Sequence, residues 1–401
     1  MTGHDLPHIA KSMTNAGSFS VSRRSSIDPF VVMDVMREAN ARQAAGEDII
    51  HMEVGQPGTP APRAVREAAK RAIDTNALGY TDALGLPELR ERIAGFYGAR
   101  YGVGVSPSRI VVTTGSSAGF VLAFLALMDA GDAVLIPSPG YPCYRQIAQV
   151  LDIAPVNVRA DAATRFMPSA DAVREAAAAH PSARALLLAS PANPTGAACD
   201  REAFHAIVAA AEAAGLWFLS DEIYHGLSYA IKETTAVALS HNAIVINSFS
   251  KYFSMTGWRI GWMVVPEGFV RVFERLVQNL YISAPAVSQV AAIAAFDATD
   301  ELEAYKATYA RNRAMLLEEL PRAGFAALAP ADGAFYLYAD ISRFTSDSGA
   351  FVKRMLAETG VAATPGIDFD PCNGSHFVRF SYAGTFEHMR EAARRLQAWK
   401  K

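Results

Sequence analysis

Cysteine is scarce in this chain of 401 residues: Cys143, Cys199 and Cys372 lie far apart with no C-x-x-C pair. Neither a disulfide framework nor a zinc site is indicated, and free thiols in a reducing compartment are the simplest reading. The nine histidines are scattered, and no metal is expected. The N-terminal MTGHDLPHIAKSMTNAGSFS lacks an apolar core of signal-peptide length. Alanine-rich runs elsewhere are broken by charge well before they could span a bilayer. No basic arm is present either. Lys+Arg number 37 against 40 Asp+Glu, for a net charge of −3, which argues against nucleic acid as a partner. Low-complexity tracts and internal repeats are absent, and the chain reads as soluble and cytoplasmic.

What remains is an ordered globular protein with 51% hydrophobic residues, long enough for two or three domains. Between about residues 105 and 250, short apolar runs alternate with alanine-rich amphipathic segments. Strands are expected at 110–114, 133–136, 185–189, 216–220 and 243–247. That alternation implies an α/β fold with a mostly parallel sheet flanked by helices, whose ligands gather at the carboxyl ends of the strands. After about residue 300 the texture changes. Residues 301–320 read as a long, charge-rich helix closed by Pro321, and short aromatic runs follow, as in a smaller α+β lobe. The expected division is a flexible tail over 1–27, a large domain over 55–300, and a small domain built from 28–54 and 301–401.

Gly115-Ser116-Ser117-Ala118-Gly119 fits G-x-S-x-G, the nucleophile elbow of serine hydrolases. The same residues suit a turn that opens a helix and offers unpaired N–H groups to a phosphate. The later strand ends carry more polar residues. Asn193 lies in the proline-rich turn of LLLASPANPTG. Asp221 and Glu222 end the strand of WFLSDEIYHGL, with Tyr224 just beyond. Ser248, Ser250, Lys251 and Arg259 crowd INSFSKYFSMTGWRIGW. Singly these residues could be a turn former, a helix cap and surface cations. Together, a lysine among serines, an arginine eight positions on and an acid ending the preceding strand suit a phosphorylated aldehyde.

The sequence resembles the class I and II aminotransferases, pyridoxal-phosphate (PLP) enzymes of fold type I. From about Ile27 onward, VGQPG, GYTDALGLPELR, VTTGSSAGF, PSPGYP, ASPANPTG, SDEIYHGL, NSFSKYFSMTGWRIGW, the GAFY segment and VRFSYA occur in the family's order. The resemblance implies a large domain with a seven-stranded-type sheet, a smaller α+β domain and a homodimer with its active site at the subunit interface. It implies a Schiff base between Lys251 and PLP, with the freed amine later moving the substrate α-proton. Asp221 would keep the pyridine nitrogen protonated, and Asn193 and Tyr224 would bond the 3′-oxygen. Tyr141 would lie against the ring. Ser116, Ser117, Ser248, Ser250 and Arg259 would hold the phosphate, joined by Tyr80 from the other subunit. Arg379, with the Gly55 backbone, would take the substrate carboxylate.

The activity so implied is transfer of an amino group from an L-amino acid to a 2-oxo acid, in amino-acid metabolism or biosynthesis. A PLP-dependent lyase, cleaving C–S bonds or forming a cyclopropane, is the alternative within the same fold. A PLP-binding regulator fits less well, because about 27 residues precede the match, too few for a helix-turn-helix unit. The hydrolase reading leaves Lys251, Asn193 and Asp221 unexplained, although His376 or His388 could serve it.

In aspartate-preferring relatives a second cation meets the distal carboxylate. Here Gln278-Asn279-Leu280-Tyr281-Ile282 is uncharged, and Ser117 stands where one branch carries lysine. A neutral, aliphatic or aromatic donor is therefore expected, because an uncompensated buried carboxylate is costly. Arg23 or Arg24 could restore acidic specificity by folding over the cleft. Asp370 replaces a glycine common in relatives, which leaves the shape of the side-chain pocket open.

Overall fold

The computed structural model describes residues 20–75 and 78–401. The tail expected over 1–27 thus lies mostly outside the described residues. Residues 20–27 are exposed, with one 3₁₀ turn at Arg23–Ser25.

Among the described residues the strands, in chain order, are β1 (Ile50–His51), β2 (Ile110–Thr113), β3 (Ala133–Ser138), β4 (Ala154–Arg159), β5 (Ala183–Ala189), β6 (Trp217–Asp221), β7 (Ile244–Ser248), β8 (Gly261–Val264), β9 (Tyr336–Asp340), β10 (Val361–Ala362), β11 (Thr364–Pro365) and β12 (Phe377–Ser381). The main sheet has seven strands in the order β2-β8-β7-β6-β5-β3-β4. β8 alone runs antiparallel to its neighbours.

Side chains along these strands alternate between two apolar layers. Val134, Ile136, Leu219 and Ile246 pack on one face, Leu135, Phe218 and Val245 on the other. Burial on both faces is why the central strands read as continuous apolar runs. Two strands of the main sheet escaped the sequence reading. β4 is an edge strand with Pro155 and exposed Asn157 and Arg159, and proline is tolerated there because no outer neighbour needs its N–H. β8 begins inside the lysine motif, which masked it.

The helices are α1 (Val31–Ala44), α2 (Arg63–Thr75), α3 (Pro87–Tyr101), α4 (Ser116–Leu127), α5 (Pro142–Val150), α6 (Ala170–Ala179), α7 (Arg201–Ala213), α8 (Val270–Leu280), α9 (Ala286–Ala295), α10 (Thr299–Arg322), α11 (Ser348–Thr359) and α12 (Phe386–Ala398). α3 and α5 each start with proline, whose missing N–H costs nothing in a first turn. α10 does not stop before Pro321, as its sequence suggests; the proline sits inside the last turn, and Gly324 at φ +93 follows. Beyond α10, β11-β12-β9 form an antiparallel sheet, and β1 pairs in parallel with β10, bringing residues near 50 beside residues near 360. Among the described residues no helix is long and apolar enough to cross a membrane.

Candidate active site

A cavity of about 180 Å³ opens at the carboxyl ends of β2, β3, β5, β6 and β7. Its lining includes Gly55, Ser116, Ser117, Tyr141, Asn193, Asp221, Tyr224, Ser250, Lys251, Arg259 and Arg379. Two expected site residues lie elsewhere. Ser248 is buried behind the wall, with its hydroxyl 2.8 Å from that of Ser250 and donating to the Ile260 carbonyl at 3.0 Å. Tyr80 is 83% exposed and does not line this chain's own cavity.

The opening motif resolves into a helix start. Gly115 has φ +82, and α4 begins at Ser116 with no side-chain cap, so its first N–H groups face the cavity end uncapped. A Cβ on Gly115 would lie 2.6 Å from Nη2 of Arg259. Glycine is therefore required both by the dihedral and by the guanidinium lying against the turn. Among the described residues no histidine lines this cavity, so Ser117 lacks the histidine base that a nucleophile elbow requires.

Lys251 Nζ donates to the Gly55 carbonyl at 2.5 Å. Burial, together with Arg379 and Arg259, lowers its pKa to about 8, against an opposing pull from Asp221. Asp221 is buried at the end of β6, and desolvation raises its pKa to about 6. Two donors work against that rise: the Tyr144 hydroxyl on Oδ2 and the Ile223 N–H on Oδ1 at 3.0 Å.

Arg379 is among the largest fully buried side chains. Its Nη1 donates to Asn193 Oδ1 at 2.8 Å, and Nη2 donates to the Glu53 carbonyl and to Thr364 Oγ1. The guanidinium lies 4.4 Å from the Tyr336 ring centroid and 4.6 Å from that of Phe369, and Nε has no partner. Such a fork, held flat and partly unsatisfied, suits a carboxylate.

Sequence reasoning missed several lining residues. Tyr336 bonds the Tyr224 hydroxyl at 2.7 Å, and its own hydroxyl would lie 2.1 Å from a Cβ at Gly55. That close approach explains the glycine. Phe30, Val32, Met33 and Val54 form an apolar wall. The wall is anchored by Asp368, whose carboxylate accepts from Val31 N and Val32 N at 3.1 and 3.2 Å, capping α1 from across the chain. Arg23 and Arg24 do not reach the cleft; they pair with Asp152 on the surface. Asp370 also faces away from this cavity, accepting from Ser138 Oγ at 3.1 Å and Cys372 N at 2.9 Å.

Residues 47–396 match the family model "Aminotransferase class I and II". The valine–pyruvate aminotransferase of Mycobacterium tuberculosis is 48% identical over 94% of this chain and 98% of that protein. An aspartate aminotransferase of Thermotoga maritima is 33% identical over 94% and 98%. The crystal structure of an aminotransferase from M. tuberculosis superposes with a TM-score of 0.93 at 48% identity, covering 95% of this chain and 99% of that one. The matched span takes in every lining residue from Val54 to Arg379, the sheet is that of the fold type I enzymes, and the chain belongs to the class I and II aminotransferase family.

Proposed function

We propose that this aminotransferase uses PLP in the cavity described and prefers a neutral amino acid, with Lys251 as the covalent anchor and proton carrier. The observation that carries the reading is one cavity holding an amine with a pKa near 8, a buried carboxylate and an uncapped helix N-terminus under an arginine. These fit the aldehyde, the ring nitrogen and the phosphate of PLP respectively. When bound, the cofactor supplies an electrophilic aldehyde and a pyridinium ring that withdraws electrons from the substrate α-carbon.

In this reading Asp221 faces the ring nitrogen, where a cationic partner compensates its burial. Tyr141 packs on the ring face, and Asn193 and Tyr224 offer donors to the 3′-oxygen. Ser116, Ser117, Ser250 and Arg259 hold the phosphate, while Ser248 orients Ser250. Arg379, beside Gly55, takes the substrate carboxylate. Lys251 Nζ, once free, carries the proton between the substrate α-carbon and the cofactor. Tyr80 is available to a partner subunit's phosphate site, in a homodimer with shared sites. We further propose a cytoplasmic enzyme whose large domain spans 55–300 and whose small domain joins 28–54 to 301–401.

A neutral donor is supported by the lining. Among the described residues the cavity's cations are Lys251, Arg259 and Arg379, each with a role, and its apolar lining includes Phe30, Val32, Met33 and Val54. A second carboxylate there would be buried without a partner, at about 3 kcal/mol or more. Valine or leucine is expected to exceed aspartate in kcat/KM by about 100-fold. Steady-state kinetics with aspartate as the best donor would overturn this preference.

Tyr144 is assigned to hold Asp221 ionised. Replacing it by phenylalanine removes a hydrogen bond to a charged group, worth about 1.5–3 kcal/mol. Tyr144→Phe is expected to lower cofactor affinity and kcat together by roughly 10- to 100-fold. Visible-absorbance titration and steady-state rates check it.

A further inference from the structure

Behind the carboxylate clamp lies a buried charge that nothing above uses. Glu53, two residues beyond β1, is fully buried, and its Oε1 lies 2.7 Å from Nδ1 of His51. The other ring nitrogen of His51 faces Gln43 Oε1 of α1 at 3.1 Å. Among the described residues Oε2 of Glu53 has no partner, and His51 is the single side chain bonded to that carboxylate. An ionised carboxylate in this position is tolerable only beside a donor, and best beside a cation. The hydrogen bond that His51 donates to Glu53 raises the pKa of the imidazole, against its partial burial.

The backbone of the same residue touches the clamp. The Glu53 carbonyl accepts from Arg379 Nη2 and from Thr364 Oγ1, the latter at 2.7 Å. Glu53 therefore has its side chain fixed by β1 and its peptide oxygen on the guanidinium. Rotation of that peptide would move the arginine.

We propose that His51 and Glu53 are positioning residues: their buried pair sets the Glu53 peptide, which aims Arg379 at the substrate carboxylate. Through Gln43 the pair also ties α1, which carries the apolar wall, to the clamp. The inference rests on Arg379 being that clamp, and the experiment separates the two.

His51→Leu, Glu53→Gln, the double variant His51→Gln/Glu53→Gln and Arg379→Lys are assayed in the holoenzyme with L-valine and pyruvate, alongside melting temperature. His51→Leu strands the carboxylate. It is expected to raise KM for both substrates by about 10-fold while kcat stays within about twofold, the pattern of lost carboxylate binding. The neutral double variant should return KM to within about threefold of the parent, because two amides can replace the pair without a buried charge. A primary amine donor lacking a carboxylate should be turned over equally by the parent and by the His51 and Glu53 variants. If His51→Leu does not fold, Glu53→Gln, which breaks the same pair, carries the test with the same rise in KM expected.

An unchanged KM in the single His51 or Glu53 variant with a lowered melting temperature would overturn the proposal, as would equal losses for the carboxylate-free donor. If Arg379→Lys also leaves KM unchanged, the clamp assignment itself fails. If Arg379→Lys raises KM and the pair variants do not, only the positioning role is lost.

Discussion

Lys251→Ala is expected to lower turnover by about 10⁴-fold, the upper end of what a positioned acid–base group supplies. The visible absorption of the reconstituted protein should change at the same time, because the residue is assigned as both the cofactor's anchor and its proton carrier. Adding a small primary amine to the assay should recover part of the rate, since the proton-transfer role does not require a tethered base. The parent protein adds a test of sign. A lysine whose pKa is lowered to about 8 is mostly protonated below that value and neutral above it. Capture of PLP by the cofactor-free protein needs the neutral amine, so its rate should rise with pH through about 8 and then level. A flat profile across that range, or full activity in Lys251→Ala, would remove the lysine from the mechanism.

Arg379→Ala is expected to reduce kcat/KM for amino acids by about 10²- to 10⁴-fold, since removing one partner of a buried pair costs about 3–5 kcal/mol. The loss has two parts. The substrate carboxylate loses its cation, and Asn193 Oδ1 and the Glu53 carbonyl lose a donor. Cofactor absorbance should be preserved, because Arg379 is assigned to the substrate rather than to the ring or phosphate. A variant that loses cofactor in parallel with activity would place the guanidinium on PLP instead.

Much of the main sheet could be read in the sequence, because strands covered on both faces are written as β-branched and leucine runs with polar residues at their exits. Asp221 and Asn193 fall beyond such runs, and Ser250 with Lys251 follows another. β4 was hidden because an edge strand needs no apolar run. The motif residues were legible as a set, and the cavity gathers nearly all of them. Ser248 shows the limit of a motif: its hydroxyl is spent inward on Ser250 and Ile260, which only the path of the loop decides. Tyr144, Tyr336 and Phe30 were unreadable for a different reason. Each is an ordinary aromatic until the chain closes and places it beside Asp221, Gly55 or the cleft. The same holds for Glu53, whose neighbours Arg379 and Thr364 lie more than 300 residues downstream.

The cap on α1 bears on the order in which the molecule can be completed. The residues proposed for PLP, from Ser116 to Arg259, are near one another along the chain and are joined largely through a single sheet. The helix bearing the apolar wall is synthesised before them, yet its first turn is tied to a carboxylate 336 residues away. A ribosome releasing this chain from its N-terminus can present the cofactor half well before Asp368 emerges, and α1 must wait unanchored meanwhile. The anchor of the proposed side-chain pocket is thus acquired at the end of synthesis, and loss of the last forty residues would remove Asp368 together with the proposed clamp Arg379, and with them substrate binding, even if the main sheet still formed.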